Sequence, residues 1–342
     1  MAATTFWTRL AEENAAIRFL DVNLRGAGQV IFQNNPLTGL IFLVAIGWGA
    51  TQAGAPQILL GAVVALVVAT VTAMLLDADA GTLRQGLFGF NGVLVGVAVP
   101  TFLEPSGAMW VLLVVGAAVS TVTMLAVANV MKTWGVPALT FPFVLTTWFL
   151  MLAAYSFGAV TIDGMGPPAL SHSLAAAPPI PVESDAVPLL EAWLKGPAQV
   201  FLIDDWLSGV LVVIGLAVAS LWAAVFALAG AAVALAVSLA LGASLADVTG
   251  GLYGFSPVLT AVALGCVFYS PSWRVALYAL LGTVFTVIVQ AAMDAGMAPL
   301  GVPTFTAPFV FVTWLFLLPK ADLKPHPHDL IENGIVGKTA GD

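Results

Sequence analysis

The chain has 342 residues, of which 60% are hydrophobic and 8% charged, where soluble domains carry roughly 25% charged residues. A mean hydropathy of +1.03 excludes an ordinary water-soluble fold and makes lipid the solvent for most of the surface. The formal net charge of −8 sits in loops and tails, and no basic patch points to nucleic acid as a partner.

In chain order, the first segment carries Arg9, Glu12, Glu13, Arg18, Asp21 and Arg25 ahead of any long apolar run. It lacks the short apolar core and cleavage site of a signal peptide. Residues 5–24 read instead as an amphipathic helix on the membrane surface. Apolar runs at 37–53, 57–76 and 109–131 follow, each near the length of about 20 residues that crosses a bilayer. Residues 206–245 contain no charge and are long enough for two crossings, and further runs lie at 275–292 and 305–318. Counting the glycine-rich segments, about five crossings per half and about ten in total are predicted. The spans should be helices, because backbone amides in lipid must be satisfied internally, and the runs lack the strict alternation of a β-barrel.

Lysine and arginine set the orientation. Arg9, Arg18 and Arg25 precede the first span, Lys320, Lys324 and Lys338 follow the last, and residues 155–193 contain neither type. Both ends are therefore predicted to be cytoplasmic and the connection external. This divides the chain into an N-terminal amphipathic segment (1–25), a first membrane repeat (26–157), an external linker (158–192), a second membrane repeat (193–319) and a cytoplasmic tail (320–342). The single cysteine, Cys266, excludes an intrachain disulfide and reads as a space-filling residue.

The two halves repeat. GLFGFNGVL at 86–94 matches GLYGFSPVL at 251–259, an offset of 251 − 86 = 165. VPALTFPF at 136–143 matches VPTFTAPF at 302–309, an offset of 302 − 136 = 166. LRGAGQV at 24–30 matches LKGPAQV at 194–200 more weakly, at 194 − 24 = 170. With an odd number of spans per half, the repeats are inverted. Inverted repeats put a binding site near the midplane, at glycine- and proline-interrupted helices. The predicted fold is thus an all-α integral membrane protein, with two inverted-topology repeats and interrupted half-helices around a central pore.

The paired V-P-x-x-T-x-P-F segments resemble the signature of the urea transporter family, L-P-x-x-T-x-P-F, with Val136 and Val302 in the leading position. GLFGFNGVLVG from Gly86, GLYGFSPVLTA from Gly251 and GAGQVIFQNNPLTG from Gly26 are similar to the same family. The resemblance spans roughly residues 20 to 320. It implies passive, urea-selective conduction across the inner (cytoplasmic) membrane by a homotrimer with one pore per subunit. It also implies a narrow filter of aromatic slots and oxygen ladders. Carried over by motif position, Thr140 and Thr306 fall at the filter centre, and Phe90 and Leu94, with Phe255 and Leu259, in the slots. Gln29 and Phe32 fall at one mouth, Gln199 and Leu202 at the other. Leu202 departs from the symmetry, standing where the first half has Phe32.

These residue types suit a flat, neutral solute. Urea offers one acceptor and four N–H donors around its edge, and leaving a donor unpaired costs roughly 1–3 kcal/mol. Helix ends leave carbonyls free, Pro142 and Pro308 are expected to free another by lacking an N–H, and the two Thr hydroxyls add to the ladder. Each residue also has a plainer use. Phe and Leu pack, membrane Thr back-bonds to its own helix, Gly86, Gly89, Gly92 and Gly96 permit close helix contact, and Gln29 and Gln199 can hold interfaces together. Asn34 and Asn35 align with Asp204 and Asp205, which suggests helix starts.

Rival functions are weaker. An ammonium channel needs pore histidines, but His172 lies in the linker and His326 and His328 in the tail. Asn35-Pro36 is the sole approach to the paired Asn-Pro-Ala motifs of aquaporins. A coupled transporter usually carries an ionisable residue inside the membrane; Asp294 ends an apolar run and reads as interfacial. No span holds a catalytic or metal-ligating cluster, so no enzyme activity, metal or cofactor is expected.

Overall fold

The computed structural model describes residues 2–171, 186–319 and Leu323. The three histidines and the three tail lysines lie outside the described residues. Among the described residues every regular element is helical, apart from an isolated bridge between Leu103 and Ile162.

The N-terminal stretch is two helices, not one. Helix α1 (Ala2–Glu13) stops at Asn14, whose side chain accepts from the Ala16 and Ile17 N–H groups and so starts α2 (Ala15–Gln29). An Asn that satisfies two otherwise orphaned donors makes a helix start where amphipathic pattern alone reads through. The end of α2 is not on the surface either: Asp21, Val22, Asn23 and the run from Gly26 to Gln29 are buried.

Next come α3 (Pro36–Gln52), α4 (Gln57–Leu75), the short α5 (Ala80–Arg84), α6 (Gly89–Phe102), α7 (Gly107–Lys132) and α8 (Phe141–Ala154). The second half gives α9 (Ala186–Gln199), α10 (Trp206–Ala219), α11 (Leu221–Ala240), the short α12 (Leu245–Thr249), α13 (Phe255–Val262), α14 (Trp273–Met297) and α15 (Ala307–Leu317). Helices α4, α7, α11 and α14 are long and apolar enough to cross a membrane, and six shorter apolar helices accompany them.

Small residues let these helices approach closely, as they do where lipid removes any hydrophobic drive between helices. Helix α4 buries Gly61, Ala62, Ala65, Ala69 and Ala73, while Leu60, Val63, Val71 and Leu75 face outward. Its partner α6 meets it through glycine: a Cβ on Gly96 would lie 2.2 Å from the Gly61 carbonyl oxygen, and one on Gly92 2.6 Å from that of Ala65. Helices α3 and α10 join the halves by crossed hydrogen bonds. Thr38 Oγ1 donates to the Gly215 carbonyl at 2.8 Å, and Ser208 Oγ to that of Ala45 at 2.9 Å.

Corresponding residues start corresponding helices. Asn35 caps α3 and Asp205 caps α10; Ser106 caps α7 and Ser272 caps α14. The step in repeat offset from 165 to 166 also has a structural cause. Helix α13 continues into a π-helical turn, Ala263–Val267, where the first half keeps α-helix through to Phe102. A π turn absorbs one extra residue without ending a helix, so Phe268 comes to the end of its helix as Phe102 does. Beyond α8, the chain crosses to the far end of α14. Tyr155 Oη donates to the Gly301 carbonyl, the Ala169 N–H to that of Ala298, and Ser171 Oγ to that of Ala295.

Candidate functional site

The two V-P-x-x-T segments meet at their threonines. Thr140 precedes α8 and Thr306 precedes α15, and their Oγ1 atoms lie 2.6 Å apart with each residue only 3% exposed. Leu139 and Phe305, immediately before them, have φ values of 53° and 50°. A left-handed backbone at a bulky residue is uncommon and costs of order 1–3 kcal/mol, so the surrounding structure must hold it. Two tryptophans do so reciprocally: Trp148 Nε1 donates to the Pro303 carbonyl at 2.9 Å, and Trp314 Nε1 to that of Pro137 at 2.7 Å. Each half thereby pins the other half's segment.

Pro142 and Pro308 act differently from the sequence expectation. Both lie in the first turn of their helices, where backbone N–H groups have no intrahelical partner in any case. They free no carbonyl; they favour a helix start. The groups meeting at the threonine pair are therefore helix N-termini. Asn91 serves one of them, accepting from the Phe143 N–H at 3.1 Å.

A cavity is lined by Gln29, Phe32, Phe90 and Thr140, together with Met124 and Phe268. Phe32 sits in the left-handed region at φ 60°. Its ring packs edge-to-face with those of Phe268 and Phe309, at centroid separations of 5.8 and 6.0 Å. Gln29 Nε2 donates to the Gln85 carbonyl at 3.0 Å, which fixes the loop before α6. Leu94, one turn beyond Phe90, is buried in the core at 2% exposure and does not line this cavity.

The corresponding residues of the second half repeat these relations in part. Gln199 Nε2 donates to the Gly250 carbonyl at 2.6 Å, and Leu202 takes φ 56°. Phe255 and Leu259 are buried one turn apart on α13. The aromatic contacts here run through Phe305, whose ring lies 5.2 Å from that of Phe143 and 5.8 Å from that of Phe102. Phe102, Phe268, Phe305 and Asn91 were not among the expected site residues. A strict comparison of helix ends across the halves would have flagged the first two.

Asp294 is within α14, in its last turn, and is held by its neighbours. Gln290 Nε2 donates to both of its carboxylate oxygens at 3.2 Å, and Thr304 Oγ1 donates to Oδ1 at 3.0 Å.

The family model described as urea transporter matches residues 20–321. The chain belongs to the urea transporter family. It is 29% identical over 312 residues to urea transporter 1 of Ovis aries, covering 90% of this chain and 79% of the relative. The match to urea transporter 1 of Capra hircus is 29% over 313 residues, and that of Rattus norvegicus the same, each with 90% and 79% coverage. Family membership and the apolar helices make it a multi-pass membrane transporter rather than an enzyme.

Proposed function

We propose that this protein conducts urea passively through an uncharged filter centred on Thr140 and Thr306. The contact that carries the reading is the 2.6 Å approach of their hydroxyls. In such a pair one hydroxyl donates and the other accepts. One proton and several lone pairs stay available, so the pair can serve urea's carbonyl and its N–H edge in turn. Phe32 and Phe90 on one side, and Phe255 on the other, are the aromatic walls that sandwich its flat faces. Leu202 and Leu259 fill out the slots, with Leu94 one turn beyond Phe90 and outside the cavity lining, and Gln29 and Gln199 stand at the mouths.

Charge selectivity follows from helix direction. The N-termini of α8 and α15 meet at the threonines, and a helix N-terminus carries roughly half a positive charge. Positive helix ends in a low-dielectric pore disfavour cations and protons, while a neutral solute is indifferent to them.

In this reading the halves are inverted-topology repeats of about five crossings each, bounded as 26–157 and 193–319, with both termini cytoplasmic and the 158–192 linker external. The protein then functions in the inner membrane as a homotrimer with one pore per subunit. The paired helix caps, crossed tryptophans and matched left-handed residues support the repeat; the family likeness supports the trimer. The second reading is an ion-coupled transporter, for which Asp294 inside α14 is the favouring observation. Purified protein in liposomes distinguishes them. Stopped-flow light scattering after a urea jump should give a fast phase absent from empty liposomes, with no sodium or proton gradient. No urea-dependent fast phase in symmetric salt rejects the channel reading.

A further inference from the structure

The two mouths differ chemically, and the difference centres on Gln290. In the first mouth, Met124 and Ala138 line the cavity. The positions that correspond at an offset of 166 are Gln290 and Thr304 (290 − 124 and 304 − 138). An apolar pair in one half is thus a polar pair in the other. Both polar residues are buried, at 4% and 3% exposure.

Their hydrogen bonds leave one atom unused. Gln290 Nε2 has two hydrogens, and they go to the Asp294 carboxylate and to Thr304 Oγ1, the latter at 3.1 Å. The Thr304 hydroxyl hydrogen goes to Asp294 Oδ1. Every donor of the side-chain cluster is spent. The carboxylate also fixes the amide orientation, because turning the amide over would set Oε1 against a negative charge. What remains is Gln290 Oε1, buried and without a partner. A buried, unpaired acceptor is costly to keep, and a donor-bearing solute at this mouth would relieve that cost. The first mouth offers no equivalent, since Met124 Sδ already receives Asn91 Nδ2 at 3.7 Å.

We propose that Gln290 is a specificity-determining residue of the second mouth, its Oε1 accepting an N–H of the permeating amide, with Asp294 and Thr304 as the residues that position it. This rests on the pore assigned under Proposed function. The mouth then favours solutes rich in N–H donors, urea above acceptor-only molecules of the same size, before they reach the threonine pair.

The test uses full-length protein in liposomes and reads the urea half-saturation concentration and the maximal flux separately. Gln290→Met, which copies the first mouth, should raise the half-saturation concentration roughly five-fold, the effect of one neutral hydrogen bond. Asp294→Asn keeps the volume but releases the amide orientation, and should raise it by roughly two- to five-fold. A residue that merely held the helices together would lower the flux without moving half-saturation. Wild-type conduction with an unchanged half-saturation in Gln290→Met overturns the inference and leaves the channel intact. If Gln290→Met does not reach the membrane, an unchanged half-saturation in Asp294→Asn overturns it equally. Absence of urea flux in the wild type overturns the channel reading, and this inference with it.

Discussion

Replacing Thr140 or Thr306 by valine removes a hydroxyl while keeping the shape of the side chain, so the width of the slot is unchanged. In the native structure each hydroxyl is the other's partner at 2.6 Å, in a site 3% exposed. On the proposed pathway a valine at either position leaves one polar edge of the passing urea unmatched, at roughly 1–3 kcal/mol on the barrier. That corresponds to a fall in urea flux of roughly 5- to 150-fold. The double variant should fall further, but by less than the product of the single effects, because residues in contact do not act additively. The assay is stopped-flow light scattering on proteoliposomes, normalised to incorporated protein, with thermal melting in detergent to verify the fold. Wild-type flux per protein in both single variants would refute the reasoning and move the filter elsewhere.

Three further outcomes are expected. Asn91→Leu strips the acceptor from the Phe143 N–H beside the proposed filter and should cost about 1–2 kcal/mol of stability, read as a lower melting temperature together with lower urea flux. Gly39→Ala and Gly209→Ala would each set a Cβ 1.7 Å from a backbone carbonyl oxygen, that of Leu24 or of Leu194. Both should lose about 3 kcal/mol or more, whereas Gly107→Ala, with open space around it, should melt like the wild type. Asp79, in the exposed connection before α5, is held below its ordinary value of 3.8 by the Thr82 backbone N–H, then by the Thr82 hydroxyl. Its folded-state value is depressed, so its capping contribution is present above the ordinary value and is lost as pH falls through the folded one. The melting difference between wild type and Asp79→Ala should accordingly be present near about pH 6 and vanish in stronger acid.

Much of the fold was legible because lipid imposes long apolar runs and because the halves repeat. The runs at 57–76 and 109–131 became α4 and α7 within a few residues. Asn35 and Asp205 became the caps that their alignment suggested. The threonine pair was legible for the same reason, as the same letters in both halves. What escaped was geometry that no repeat of letters encodes. Asn14 interrupts a continuous amphipathic pattern because it satisfies two backbone donors. Pro142 reads as a helix breaker until its place in the first turn is known. The left-handed backbones of Phe32, Leu139, Leu202 and Phe305 are adopted against local preference and imposed by tertiary contacts. Phe268 was hidden by the single extra residue that the π turn takes up. Asp294 read as an interfacial charge, and its bonds to Gln290 and Thr304 come from a residue one turn back and another across a loop.

The central claim is that urea moves passively, and labelled-urea exchange tests it most directly. Proteoliposomes hold equal urea inside and out, and sodium and proton gradients are imposed and then collapsed. The account requires that label equilibrates at one rate in all conditions and never accumulates. Accumulation against its gradient, lost when the ion gradients collapse, would contradict it and make Asp294 the first residue to mutate.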